Sequence, residues 1–97
     1  MAQAYWITVY HSVSDPARLA EYSVQATPAL VAAGGRILAR GVAARTFEAP
    51  TSERTVIVEF ESVERAIAAY ESPRYQAARR LLEGAVEREV RIVEGVA

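Results

Sequence analysis

Glu59 and His11 are the side chains of this sequence best suited to moving protons. Glu59 lies in the run Thr55-Val-Ile-Val-Glu-Phe60, where burial would raise its carboxyl pKa and a neighbouring arginine would lower it. It is a candidate general base, or else half of a structural ion pair with Arg36, Arg40 or Arg45. His11 is the only histidine, and imidazole is the side chain whose ordinary pKa lies nearest neutrality. It is a candidate acid–base group or a solvated residue at a strand end. Arg40 offers a planar fork that can hold a ligand carboxylate through two parallel hydrogen bonds. Trp6, Tyr10 and Ile57 supply flat or apolar surface, either for a ligand or for packing between subunits.

Composition excludes much other chemistry. With 97 residues, no Cys, no Lys and no Asn, the chain has no thiol nucleophile and no lysine for a Schiff base. A structural zinc site takes about four N or S ligands; one chain offers only His11 as a nitrogen ligand, and neither a metal nor a cofactor is expected. Eleven basic and 12 acidic residues nearly cancel, which argues against capture of nucleic acid or an anionic membrane. No signal peptide and no apolar stretch of about 18 residues is visible, so the expected location is cytoplasmic. Apolar residues make up 52% of the chain. With no disulfide to staple so small a core, self-association is the expected outlet for that surface.

The elements that must position these groups follow from period and capping. Ala4 to Tyr10 is dense in aromatic and β-branched residues and reads as a first strand. Asp15-Pro16 caps and opens a helix carrying Leu19, Tyr22, Ala26, Leu30 and Ala33 at helical spacing, with a kink expected at Pro28. Gly34-Gly35 ends it. Arg36 to Arg40 begins a second strand, extending toward Phe47 with a bulge considered at Gly41. Ala49 to Glu53 reads as a hairpin connection and Thr55 to Phe60 as a third strand. Ser62 caps a helix bearing Ala66, Ile67 and Tyr70, and Ser72-Pro73 caps and opens another. After Gly84, Glu89 to Val93 reads as a fourth strand.

The order is βαββαβ in one domain, residues 1–97, with a split second helix. This is the pattern of the ferredoxin-like α+β fold, an antiparallel four-stranded sheet with its helices on one face. Strand alternation is read as turning Ile7, Val9, Val56, Val58, Phe60, Val90 and Ile92 toward the helices. The open face then receives Trp6, Thr8, Tyr10, Ile57, Glu59, Arg91 and Val93. Trp6, Tyr10, Ile57 and Val93 would make an apolar patch there, of the kind that marks a partner or ligand surface.

Tyr5-Trp6, Asp15-Pro16, Tyr22, Gly34-Gly35-Arg36, Arg40-Gly41, Glu59-Phe60, Ser72-Pro73-Arg74-Tyr75 and Gly95, in that order and spacing, resemble the domain-of-unknown-function family numbered 1330, within the dimeric α+β barrel superfamily. The resemblance runs nearly end to end. It implies a ferredoxin-like protomer and a homodimer whose sheets face each other around a shared barrel interior, and it brings no reaction with it.

The leading functional expectation is a homodimer binding a small amphipathic or aromatic molecule in the barrel interior. A cofactor-free isomerase or monooxygenase using Glu59 or His11 is the enzymatic alternative, by analogy of fold with the superfamily. A structural or stress-related dimer without ligand is the third. RNA binding is set aside, since Arg40-Gly41 is followed by Val42-Ala43-Ala44 rather than by stacking aromatics.

Overall fold

A computed structural model describes residues 3–49 and 54–96. Strand β1 (Ala4–Val13) is followed by helix α1 (Pro16–Ala32), strands β2 (Arg36–Gly41) and β3 (Arg54–Phe60), helices α2 (Val63–Glu71) and α3 (Pro73–Arg79), a 3-10 turn at Arg80–Leu82 and strand β4 (Val86–Glu94). The sheet is antiparallel with order β2-β3-β1-β4, and the helices cover one face. This is the ferredoxin-like α+β architecture, and the split second helix corresponds to α2 and α3. Of the expected hairpin connection, residues 50–53 lie outside the described residues.

The caps act as the sequence indicates. Asp15 accepts from the Arg18 backbone N–H at 3.2 Å, and Ser62 accepts from that of Arg65 at 3.2 Å. At the far end of α1, Gly35 N–H reaches Leu30 O and Gly34 N–H reaches Val31 O, with Gly34 at φ 99°. That pair of bonds is a Schellman motif, which needs a left-handed residue. Gly35 is required for a different reason: a Cβ there would lie 2.8 Å from Leu30 O and 2.9 Å from Phe60 and Val58 side-chain atoms.

Pro28 does not divide α1, which continues through it to Ala32. Pro28 is exposed, as is Val24 at 76%. The carbonyl deprived of its helical donor is therefore on the wet side of the helix, where water can satisfy it. Strand β2 ends at Gly41 rather than running toward Phe47, because among the described residues no strand pairs with those beyond it.

Three expectations about side-chain direction are corrected. Trp6 is opposite Val58 and Ile92, Thr8 opposite Val56 and Val90, and Tyr10 opposite Arg54 and Arg88. Directly opposed residues share a sheet face, so Trp6, Thr8 and Tyr10 lie under the helices with Val56, Val58, Val90 and Ile92. The open face receives Tyr5, Ile7 and Val9, opposite Glu59, Ile57, Val93, Arg91 and Glu89. Trp6 and Tyr10 are thus core residues at 1% exposure, not part of an open patch. The apolar open face exists, but it is built from Tyr5, Ile7, Val9, Ile57 and Val93. Third, the irregularity in β2 falls between Ile37 and Ala39 rather than at Gly41. Arg36 is opposite Glu59 before it and Arg40 opposite Val56 after it. The extra residue therefore re-aims Arg40 to the helix face, away from Glu59.

Trp6 anchors the core. Its ring centroid is 5.1 Å from that of Tyr75 in an edge-to-face arrangement, 5.6 Å from Tyr70 and 6.2 Å from Phe60. The indole N–H donates to Thr8 Oγ1 at 2.7 Å, which satisfies both buried polar groups.

Candidate functional site

Four side chains from four elements converge beneath the helices. Ser72 sets up the first of them. Its hydroxyl donates to Ala69 O at 2.8 Å, closing α2, and accepts from the Tyr75 backbone N–H at 3.3 Å, opening α3. Gln76 braces the break by donating to Tyr70 O at 2.6 Å. The abrupt restart drives the Tyr75 ring inward. Tyr22 descends from α1, Tyr10 rises from β1, and Arg88 stands beside Tyr10 on β4.

The Tyr22 and Tyr75 hydroxyls are 2.6 Å apart. Arg88 donates to the Tyr75 hydroxyl at 2.9 Å, to that of Tyr22 at 3.3 Å and, at the long limit, to that of Tyr10 at 3.5 Å. Its guanidinium carbon also lies 5.2 Å from the Tyr22 ring centre and 5.7 Å from that of Tyr10, within cation–π range. Among the described residues, no carboxylate forms an ion pair with Arg88 within 4.0 Å. Phenols stand where a counter-charge would be usual.

Burial pushes the Tyr22 hydroxyl pKa well up, and the adjoining Tyr75 adds to this while Arg88 opposes it. Burial likewise raises those of Tyr10 and Tyr75 against the lowering effect of Arg88. All three phenols keep their protons near neutrality. Desolvation disfavours the Arg88 charge, but the surrounding phenol oxygens outweigh it and its pKa is raised. The cluster is a fixed cation surrounded by neutral hydroxyl groups.

Arg88 opens on two grooves. One, of about 350 Å³, runs between α2 and the edge strand β4 and is lined by Ile67, Tyr70, Glu71, Arg88, Val90 and Ile92. It joins an apolar wall to a cation. The other, of about 370 Å³, shares Tyr70 and Arg88 but is charged, with His11, Arg79, Glu83 and Glu87 on its walls. 

The residues singled out from sequence are dispersed. Glu59 is on the open face at one end of the sheet, accepting from the Tyr5 hydroxyl at 3.3 Å. Arg36 is its cross-strand neighbour, but among the described residues Glu59 has no ion pair within 4.0 Å. His11 pairs with Glu89 at 2.9 Å, and Arg91 donates to the same carboxylate at 2.6 Å. Arg91, then His11, holds Glu89 below the usual carboxylate range. Tyr5 and His11 are six residues apart on β1, or about 20 Å at ~3.3 Å per residue. Glu59 and His11 therefore cannot serve one reacting atom within a protomer. Arg40 donates to Thr27 Oγ1 at 3.0 Å, on α1. Trp6 and Tyr10 are buried, Tyr10 within the Arg88 cluster. Ile57 lies on the open face.

Sequence reasoning missed Arg88, Tyr22 and Tyr75 as a site. A signal was present: Arg88 has the same parity as Val90 and Ile92, so a strand begun at Val86, three residues earlier than read, puts an arginine on the helix-facing side.

The model of the family described as Domain of unknown function (DUF1330) matches residues 3–96. The chain belongs to the DUF1330 family. No curated protein matches it. Among solved structures, this DUF1330 protein is similar to a protein of unknown function from Rhodopseudomonas palustris, with TM-score 0.78, 16% identity and coverage of 99% of this chain and 84% of that one. A dimeric ferredoxin-like protein of unknown function from Thermobifida fusca gives TM-score 0.67 at 12% identity, covering 96% of this chain and 91% of that one. A protein provisionally described as an antibiotic biosynthesis monooxygenase, from Bordetella bronchiseptica, gives TM-score 0.65 at 23% identity with full coverage of both chains. At these identities the likeness is one of fold. Among the described residues of the DUF1330 protein, no helix is long and apolar enough to cross a membrane.

Proposed function

We propose that this DUF1330 protein is a homodimer that binds a small amphipathic or aromatic molecule in the cleft between α2 and β4, with Arg88 at the polar end. The observation that carries this reading is the cleft itself, about 350 Å³ with Ile67, Tyr70, Val90 and Ile92 beside a single guanidinium. That volume is at the lower end of ligand sites and suits a molecule of one or two rings. It shifts the expected site from the barrel interior to the helix side of the sheet. The homodimer is supported by the apolar open face and by the dimeric ferredoxin-like protein from Thermobifida fusca.

Backbone amide shifts of the labelled protein, titrated with a neutral probe such as indole, test the location. Perturbation centred on Ile67, Tyr70 and Ile92 is expected. Perturbation centred on Ile7, Ile57 and Val93 would return the site to the open face.

A second reading is enzymatic, a cofactor-free isomerase or monooxygenase. It is favoured by the Arg88 guanidinium on the cleft wall, which suits an oxyanion developing on a bound substrate, and by the description of the Bordetella bronchiseptica protein. Glu59 and His11 remain its acid–base candidates, but each lies outside the α2–β4 cleft. Once a substrate is found, unchanged turnover in both Glu59→Gln and His11→Ala would remove them from it. A structural dimer without ligand predicts no specific perturbation by any probe.

A further inference from the structure

We propose that the α2–β4 cleft selects an organic carboxylate, held by Arg88, its apolar body lying on Ile67, Tyr70, Val90 and Ile92. The inference rests on the reading of this cleft as the ligand site and adds the charge and geometry of the ligand.

Proton counting within the cluster carries it. A guanidinium has five N–H donors and no acceptor, and each phenol has one proton to give. The only acceptors that the cluster uses are its own phenol oxygens: Arg88 donates to all three, and one of Tyr22 and Tyr75 donates to the other. Three of the five guanidinium N–H groups reach phenol oxygens and two are left over. Among the described residues, no group accepts from these two. Arg88 thus brings an unpaired positive charge with free donors to the cleft. Two oxygens sharing one negative charge match a guanidinium better than a neutral carbonyl does.

The surroundings choose between the two grooves. The groove that also holds His11 sets Arg79 against Glu83 and Glu87, so its walls are mostly charged and offer an apolar body little to cover. The α2–β4 cleft has one carboxylate, Glu71, which is exposed and so screened by solvent, and its remaining walls are largely apolar. An acid with a ring or chain attached fits there, whereas a small inorganic anion leaves the wall uncovered. Tyr22 and Tyr75 are positioning residues, since they hold the guanidinium from both α1 and α3.

The test compares 2-naphthoate with the isosteric, uncharged 2-naphthamide at constant ionic strength, following amide shifts of the labelled protein. Naphthoate is expected to perturb Ile67, Tyr70 and Arg88 and to bind about tenfold or more tightly than the amide, as loss of a charge-assisted pair dictates. Arg88→Gln should abolish the preference. Tyr75→Phe, which keeps the ring, should weaken naphthoate several-fold while changing the amide little. Glu71→Gln should tighten naphthoate at low salt. Equal binding of acid and amide in the cleft would overturn the carboxylate inference and leave the cleft reading standing. Naphthoate shifts confined to the open sheet face, or no shifts near its solubility limit, would overturn both. If Arg88→Gln does not fold, the Tyr75→Phe and Glu71→Gln comparison decides: no change in either overturns the proposal.

Discussion

The hydroxyls of Tyr22 on α1 and Tyr75 on α3 meet at 2.6 Å, and both accept from Arg88 on β4. One hydrogen-bonded unit thereby ties two helices to the edge strand of the sheet. It rigidifies the helix layer and simultaneously presents a cation to the cleft.

Removing either hydroxyl should cost stability without disturbing the rings. Tyr75→Phe deletes the 2.9 Å bond from Arg88 and the link to Tyr22, so a loss of about 1–3 kcal/mol is expected. Urea denaturation measures it. Tyr5→Phe, whose hydroxyl donates to Glu59 on the open face at 3.3 Å, is the control and should lose less.

Alkaline pH should destabilise the protein. Burial raises the pKa of Tyr22 and Tyr75 above the ordinary 10.0, so above pH 10 the folded chain holds protons that the unfolded chain has released. Their contribution is intact below pH 10.0 and declines as pH rises toward the folded values, by up to about 1.4 kcal/mol per pH unit for each tyrosine. Phenolate absorbance followed alongside circular dichroism should show these rings ionising with unfolding. Full ionisation of all tyrosines in a folded protein would contradict the burial argument.

Gly35→Ala tests the approach of β2 to the core. The new methyl group would meet Leu30 O at 2.8 Å and the Phe60 and Val58 side chains at 2.9 Å, with backbone on one side and buried residues on the other. A loss of about 1–3 kcal/mol is expected, read as a lower thermal midpoint.

Ile7→Glu places a charge at the centre of the open face, opposite Ile57 and Arg91, without entering the core. If two such faces meet in the homodimer, sedimentation should show the wild type as a dimer and the variant as a monomer. A variant that remains dimeric would move the interface elsewhere.

Local signals were readable in the sequence, and relative directions were harder. Asp15, Ser62 and Ser72 announced their helix starts because capping depends on a few adjacent atoms. The direction of β1 was misread because both of its faces are apolar, Tyr5, Ile7 and Val9 against Trp6 and Tyr10, so alternation in a central strand offers no contrast. Only the register with β3 and β4 decides it. The direction of Arg40 turned on one extra residue at Leu38, which no composition rule marks. Arg88 was hidden in the run Glu87-Arg88-Glu89, which reads as a solvated face. Its flanking glutamates do lie outside the α2–β4 cleft, while Arg88 itself points beneath the helices.

The claim that matters most is that Arg88 receives the charged end of a ligand, and a crystal structure of the protein with 2-naphthoate tests it most directly. The account predicts the carboxylate within hydrogen-bond distance of Arg88, with the ring on Ile67 and Ile92. Naphthoate seated on Ile7 and Ile57 of the open face, with Arg88 bonded only to its three tyrosines, would contradict it.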